Sequence, residues 1–210
     1  CDPIFAERWA RLGIASEEIT IDAITMETLL RQYGSAFYTK IDIEGLDALC
    51  IEGLATADTL PRYVSWEAAR DSFKQLLHDL KLMADLGYTE FQDVGPAKLP
   101  GTRAVRPSRE GADVDFVFPQ STSGGFGEEL SGQWMSHDET VERFKQVFRT
   151  YAFVGDTPIF GWPWTGIARH ILKMPQDWYD CHARGLQNGI ESAVDRDNAE
   201  EAGSSSESVR

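Results

Sequence analysis

The residues best suited to chemistry are Lys40-Ile41-Asp42-Ile43-Glu44-Gly45. Two carboxylates close an apolar run, and a glycine and a helix pattern follow. On a continuing strand Asp42 and Glu44 face the same side. Such a pair can hold a divalent ion or raise one another's pKa for general-base work. Equally, Asp42 can bond a neighbouring loop and Glu44 can cap the following helix. Glu67 closes the next apolar run, Tyr63-Val64-Ser65-Trp66-Glu67, and is expected on the same rim; a lone exposed acid is the plainer alternative. His182 stands between Asp180 and Arg184. An imidazole near a carboxylate can act as a base or donate a hydrogen bond to substrate, though it can also be purely structural. No two of His78, His137, His170 and His182 have metal spacing, and His78 is expected on the solvated side of its helix.

Two further segments are weaker signals. Gly124-Gly125-Phe126-Gly127-Glu128-Glu129 lacks the lysine and the strand-to-helix setting of a phosphate cradle. It reads as a flexible loop that covers or shapes a pocket. Lys98, Arg103, Arg106 and Arg109 form a basic loop, suited to an acidic substrate or simply to solvent. The chain has no G-x-S-x-G, no Walker A, no H-E-x-x-H and no glycine fingerprint after a strand.

The elements that must position these residues follow from periodicity. Alternation predicts strands at Ile19–Ile24, Phe37–Ile43, Tyr63–Ala68, Tyr88–Val94 and Val114–Phe118. Helices are expected at Met26–Tyr33 with Gly34 as stop, at Gly45–Leu54, and from an Asp71 cap to Leu86. Ser136 and Glu139 form a capping box for a helix to Tyr151, and a short helix is expected over Ile167–Lys173. Strands alternating with helices over short links imply an α/β fold with a doubly wound, mostly parallel sheet. Ligands of such sheets bind beyond the carboxyl ends of the strands.

The whole chain has 210 residues and a formal net charge of -14. That length supports a domain with a sizeable core. The acidic balance disfavours nucleic acid as a partner, since phosphates select Lys and Arg. No apolar run is long enough to span a membrane. Cys1, Cys50 and Cys181 are scattered, the pattern of a reduced, cytoplasmic protein, with Cys50 expected in the core. The chain starts at Cys1 and not at a methionine, which reads as a truncated piece. A lipidated cysteine is the lesser reading, because a helix signal from Asp2 to Gly13 follows at once. Residues 191–210 are rich in Ser, Glu and Asp and are expected to form a disordered acidic tail.

From Ile19 to Glu67 the sequence resembles FkbM-type methyltransferases. Three strings carry the likeness: Ile24-Thr25-Met26-Glu27-Thr28-Leu29-Leu30, Tyr38-Thr39-Lys40-Ile41-Asp42-Ile43-Glu44-Gly45 and Tyr63-Val64-Ser65-Trp66-Glu67. The loop into Phe126-Gly127-Glu128-Glu129 and the run Trp178-Tyr179-Asp180-Cys181-His182-Ala183-Arg184 resemble one branch of that family. The resemblance implies a Rossmann-like, seven-stranded class I methyltransferase fold. Residues 1–190 would be the C-terminal part of that domain, incomplete at its N-terminus, with an extension from about residue 119. It implies S-adenosylmethionine as cofactor and O-methylation of a small-molecule or sugar hydroxyl. Asp42 would be the base or the ligand of a divalent metal, with Glu44 orienting it. Glu67, Trp178, Asp180 and His182 would line the substrate side, and Gly45 is the cofactor-side residue that this chain retains. The family's first strand, its glycine-rich turn and the ribose-binding acid are not present. A piece lacking them is expected to aggregate and to bind cofactor weakly. A metal-dependent hydrolase built on Asp42, Glu44 and Glu67, and a non-catalytic binding remnant, are the rival readings.

Overall fold

Thr25 opens the first described helix: its hydroxyl accepts from Thr28 N at 3.1 Å, and Gly34 ends the helix at φ +77°. In this computed structural model the described residues are 10, 13, 15, 17, 19–43, 45–69, 72–95, 99–120, 122–154 and 179–186. Helix α1 is Met26–Tyr33, strand β1 is Tyr38–Ile41, and helix α2 is Asp47–Leu54. Strand β2 is Tyr63–Glu67, helix α3 is Phe73–Asp85, and strand β3 is Tyr88–Val94. After a long irregular stretch come helix α4, His137–Val154, and strand β4, Asp180–Leu186. Ser136 and Glu139 bond reciprocally, with Ser136 N donating to Glu139 Oε2 at 2.8 Å, so the capping box forms as expected.

The sheet order is β1-β2-β4-β3. β1 and β2 are parallel, while β4 runs antiparallel to both β2 and β3. β1, β2 and β3 therefore point the same way, and β4 alone is reversed. One face is apolar: Ile41, Val64, Trp66, Phe91, Cys181 and Ala183 are buried there. Leu76, Leu80 and Met83 of α3 and Phe144 and Val147 of α4 close on this layer. Burying each such side chain contributes about 2 kcal/mol.

The α/β expectation holds, but the sheet is mixed and not mostly parallel, because the last strand returns between β2 and β3. Winding on both faces is not seen either: among the described residues the polar face lies under the irregular stretch. Ile19–Ile24 is not a strand. Ile19 and Ile21 are exposed, and alternation alone supplies no pairing partner. Val114–Phe118 makes only an isolated bridge, between Val117 and Arg103. The cap of α3 is Ser72, which accepts from Gln75 N at 3.1 Å. Cys50 packs partly buried against the core. Asp71, most of the Asp2–Gly13 helix signal, Ile167–Lys173 and the tail lie outside the described residues. No helix among the described residues is long and apolar enough to cross a membrane.

Candidate functional site

Three strands ending at one edge place Asp42, Glu67 and Val94 along a single rim, where β4 begins at Asp180. Alternation puts Tyr38 and Lys40 of β1 on the polar face of the sheet. Register then aligns Lys40 with Ser65, Ser65 with His182, and His182 with Gln92. A polar row thus crosses all four strands.

Lys40 organises the rim. Its Nζ lies 2.8 Å from Asp42 Oδ2, 3.9 Å from Asp180 Oδ2 and 3.1 Å from Ser123 Oγ. Burial alone would lower the Lys40 pKa, but its bond to Asp42 and the charge of Asp180 raise it. Asp180 is almost fully buried, and that burial raises its pKa despite Lys40 and a bond from Ser123. Glu67 stands directly opposite Asp180 in the β2–β4 register. Asp42 itself is half-exposed at the open end of the rim.

The turn that presents Asp42 is fixed by Asp47. Burial raises the pKa of Asp47, against backbone N–H groups of Ile43, Gly45 and Asp47 that favour its charged form. Its Oδ1 is buried without a partner among the described residues. Gly45 takes φ +90° in this turn, a conformation that an L side chain would strain.

His182 is buried, and burial drives its pKa down to about 4, with Lys40 adding to the effect. It is therefore neutral at pH 7. Its Nε2 and the Nε2 of Gln92 have no hydrogen-bond partner among the described residues. Tyr38 shares a 2.6 Å hydrogen bond with Ser65, and its ring stacks on Phe126 at 4.2 Å between centroids.

The cover over the polar face, residues 99–135, is tied down by its own acids. Glu129 accepts from Ser108 Oγ, Arg109 N and Glu110 N at 2.7, 2.7 and 2.8 Å. Tyr63 donates to Glu110 at 2.7 Å and approaches Glu128 at 3.1 Å. Arg184 pairs with Glu90 and Glu128 and stacks over Trp134. These bonds tie the Gly124–Glu129 loop to the strands and to the neighbouring irregular stretch. In the basic loop Arg103 pairs with Asp115 and Arg106 with Asp113, all four side chains being exposed, in keeping with the solvated alternative. Lys98 lies outside the described residues. Between this cover and the end of β3 lies a cavity of about 790 Å³, reached by Val94, Gly95 and Tyr179 from the rim.

Of the residues singled out from sequence, Asp42, Glu67 and Asp180 converge, and His182 lies on the same face two residues further along β4. Glu44 and Trp178 lie outside the described residues. Lys40, Ser123 and Gln92 were not singled out as site residues. Lys40 could have been, because it sits two before Asp42 on one strand; nothing local marks Ser123 or Gln92. No group of three or more His, Cys, Asp or Glu side chains able to hold a metal occurs among the described residues, which leave out Glu44, and the Lys40 ammonium stands between Asp42 and Asp180. Comparison with protein-family models, curated proteins and solved structures returns no significant match.

Proposed function

We propose that this chain carries the acceptor-side part of an S-adenosylmethionine-dependent O-methyltransferase domain. The observation that carries the reading is the strand order β1-β2-β4-β3 with β4 alone reversed, and an acidic rim at the shared strand ends. The seven-stranded fold of the resemblance orders its fourth to seventh strands in the same way, its last strand lying reversed between the fifth and sixth. In that assignment β1 is the fourth strand and β2 the fifth.

The residues present fit one wall of the cofactor site. Gly45, Ile43 and Leu46 sit in the turn after β1, and Ile43 and Leu46 are exposed. A glycine-rich turn before β1 is not found among the described residues. Bound S-adenosylmethionine supplies an electrophilic methyl group. The chain's own part is to orient an acceptor hydroxyl and to take its proton. Asp42 is the carboxylate at the open end of the rim and the group proposed to take it. Lys40 holds Asp42 in place and neutralises part of the charge it shares with Asp180. Asp180 and Ser123 keep the lysine from swinging away. Glu67 and His182 support the substrate side. A small molecule is the substrate, and neither nucleic acid nor membrane is required.

The test is transfer of labelled methyl from S-adenosylmethionine to a panel of small hydroxylated acceptors. It is run on this chain and on the product of the complete reading frame, with calorimetric titration of the cofactor. Methylated product from the complete frame is expected, with weaker cofactor binding by the 210-residue chain. Absence of both binding and transfer in the complete product overturns the reading.

A further inference from the structure

The cavity under the 99–135 cover has a volume of about 790 Å³, within the range of sites for small organic molecules. Its wall is largely apolar, with Leu99, Val105, Val114, Phe118, Phe126 and Leu130 contributing. Five charged residues also reach it: Asp93, Arg103, Glu110, Glu129 and Arg143. Each is already answered by the protein. Arg143 pairs with Asp93 at 2.8 Å, and Arg103 with Asp115 at 2.7 Å. Glu110 receives the Tyr63 hydroxyl, and Glu129 receives Ser108 and two backbone N–H groups.

One polar group in the wall is unanswered. Gln92 is 2% exposed, and its amide nitrogen has no hydrogen-bond partner among the described residues. Its side chain is held against Gly132, where a Cβ would come within 2.9 Å of the amide carbon. Both residues line the cavity. A buried donor without a partner is costly, so a ligand acceptor that reached this amide would answer it.

We infer that this cavity binds a neutral, largely apolar small molecule carrying an oxygen acceptor that meets the Gln92 amide. The inference stands apart from the methyltransferase reading, because none of Lys40, Asp42, Glu67, Asp180 and His182 lines this cavity. A charged ligand would find no free counter-charge among these residues. A sugar would bury several hydroxyls against an apolar wall and lose their hydrogen bonds to water.

The test uses the whole chain and two neutral fluorescent probes. One is 6-propionyl-2-dimethylaminonaphthalene, which has a single carbonyl; the other is 2-dimethylaminonaphthalene, which has none. Both are expected to bind saturably. Ala104→Trp and Val105→Trp, which fill the cavity from the cover, should each weaken both probes at least about tenfold, the loss of one good apolar contact set. Gln92→Leu should weaken the carbonyl probe roughly fivefold, one hydrogen bond, and leave the other unchanged. Methyl glucoside should displace neither. Failure of saturable binding, binding unchanged in both tryptophan variants, or displacement by methyl glucoside would each overturn the inference. Circular dichroism checks that the variants fold; if they do not, the wild-type competition decides. Cofactor calorimetry is run in parallel. With that calorimetry done on the product of the complete reading frame, probe binding without cofactor binding sinks the methyltransferase reading alone, and the reverse sinks the cavity ligand alone.

Discussion

His182 faces Gln92 directly across the β4–β3 pair, and each holds a buried nitrogen that no described residue satisfies. On the other side of His182 stands Ser65, already bonded to Tyr38. The imidazole thus lies in the middle of the polar row, where the Lys40 ammonium disfavours its protonation.

That placement sets a pH dependence. Burial pushes the His182 pKa down to about 4 in the folded chain, below the 6.5 of an unburied imidazole. Between those values the unfolded chain binds the extra proton, so stability is full above pH 6.5 and falls as pH drops toward 4. Full protonation would cost roughly 3 kcal/mol, an order-of-magnitude figure from the size of the shift. Asp180 and Asp47, whose pKa values are raised, act in the opposite sense, adding stability as pH falls toward the ordinary carboxylate range. Urea unfolding at several pH values should show the loss, and His182→Gln should flatten it. An unchanged slope in the variant would remove His182 as the cause.

Removing Lys40 should hurt more than removing Asp42. Lys40→Met strands the buried Asp180 carboxylate and is expected to cost about 2–3 kcal/mol. Asp42→Asn changes a half-exposed group and should cost less than about 1 kcal/mol. Denaturant midpoints compare the two. Equal losses would mean that Lys40 does not hold Asp180.

For turnover the expectation concerns Asp42. Under the proposed methyltransferase function, Asp42→Asn should lower methyl transfer by roughly 100-fold, the low end for a lost general base. The circular dichroism spectrum should be unchanged. Wild-type turnover in this variant would take Asp42 out of the mechanism.

Sequence periodicity marked β1, β2, β3 and α4, whose signals are local. Tyr88–Val94 is bounded by Gly87 and Gly95, and Ser136 with Glu139 is a self-contained cap. β4 was missed because Asp180–Leu186 mixes charge, cysteine and glycine, and its strand character comes from partners far away in sequence. Ile19–Ile24 failed for the converse reason: its alternation was clear, but no described strand lies beside it. At the site, Asp42 and Glu67 were legible as strand-end acids. Asp180 and His182 were noticed as a short polar string, but their alignment with Glu67, Ser65 and Gln92 depends on a register that spacing does not reveal.

The cover has its own test. Gly127 takes φ +57°, and a Cβ there would lie 2.6 Å from Glu110 Oε2 and 3.1 Å from the Tyr63 ring. Gly127→Ala should therefore cost roughly 2 kcal/mol of strain and displaced contacts. Glu129→Ala removes the acceptor of three hydrogen bonds and should speed proteolytic cleavage within residues 99–135 several-fold. Equal cleavage rates in variant and wild type would show that Glu129 does not anchor the cover.

The reversed strand β4 also decides when the protein can be finished. It is the last described strand in the chain, yet it sits between β2 and β3 and is the only one that joins them. On a ribosome, β2 and β3 are made early and must wait, edges open, until residue 186 has emerged. During that interval the two edges are free to capture other strands. Synthesis speed and chaperone supply, more than the stability of the finished sheet, would then govern how much of the protein is recovered folded.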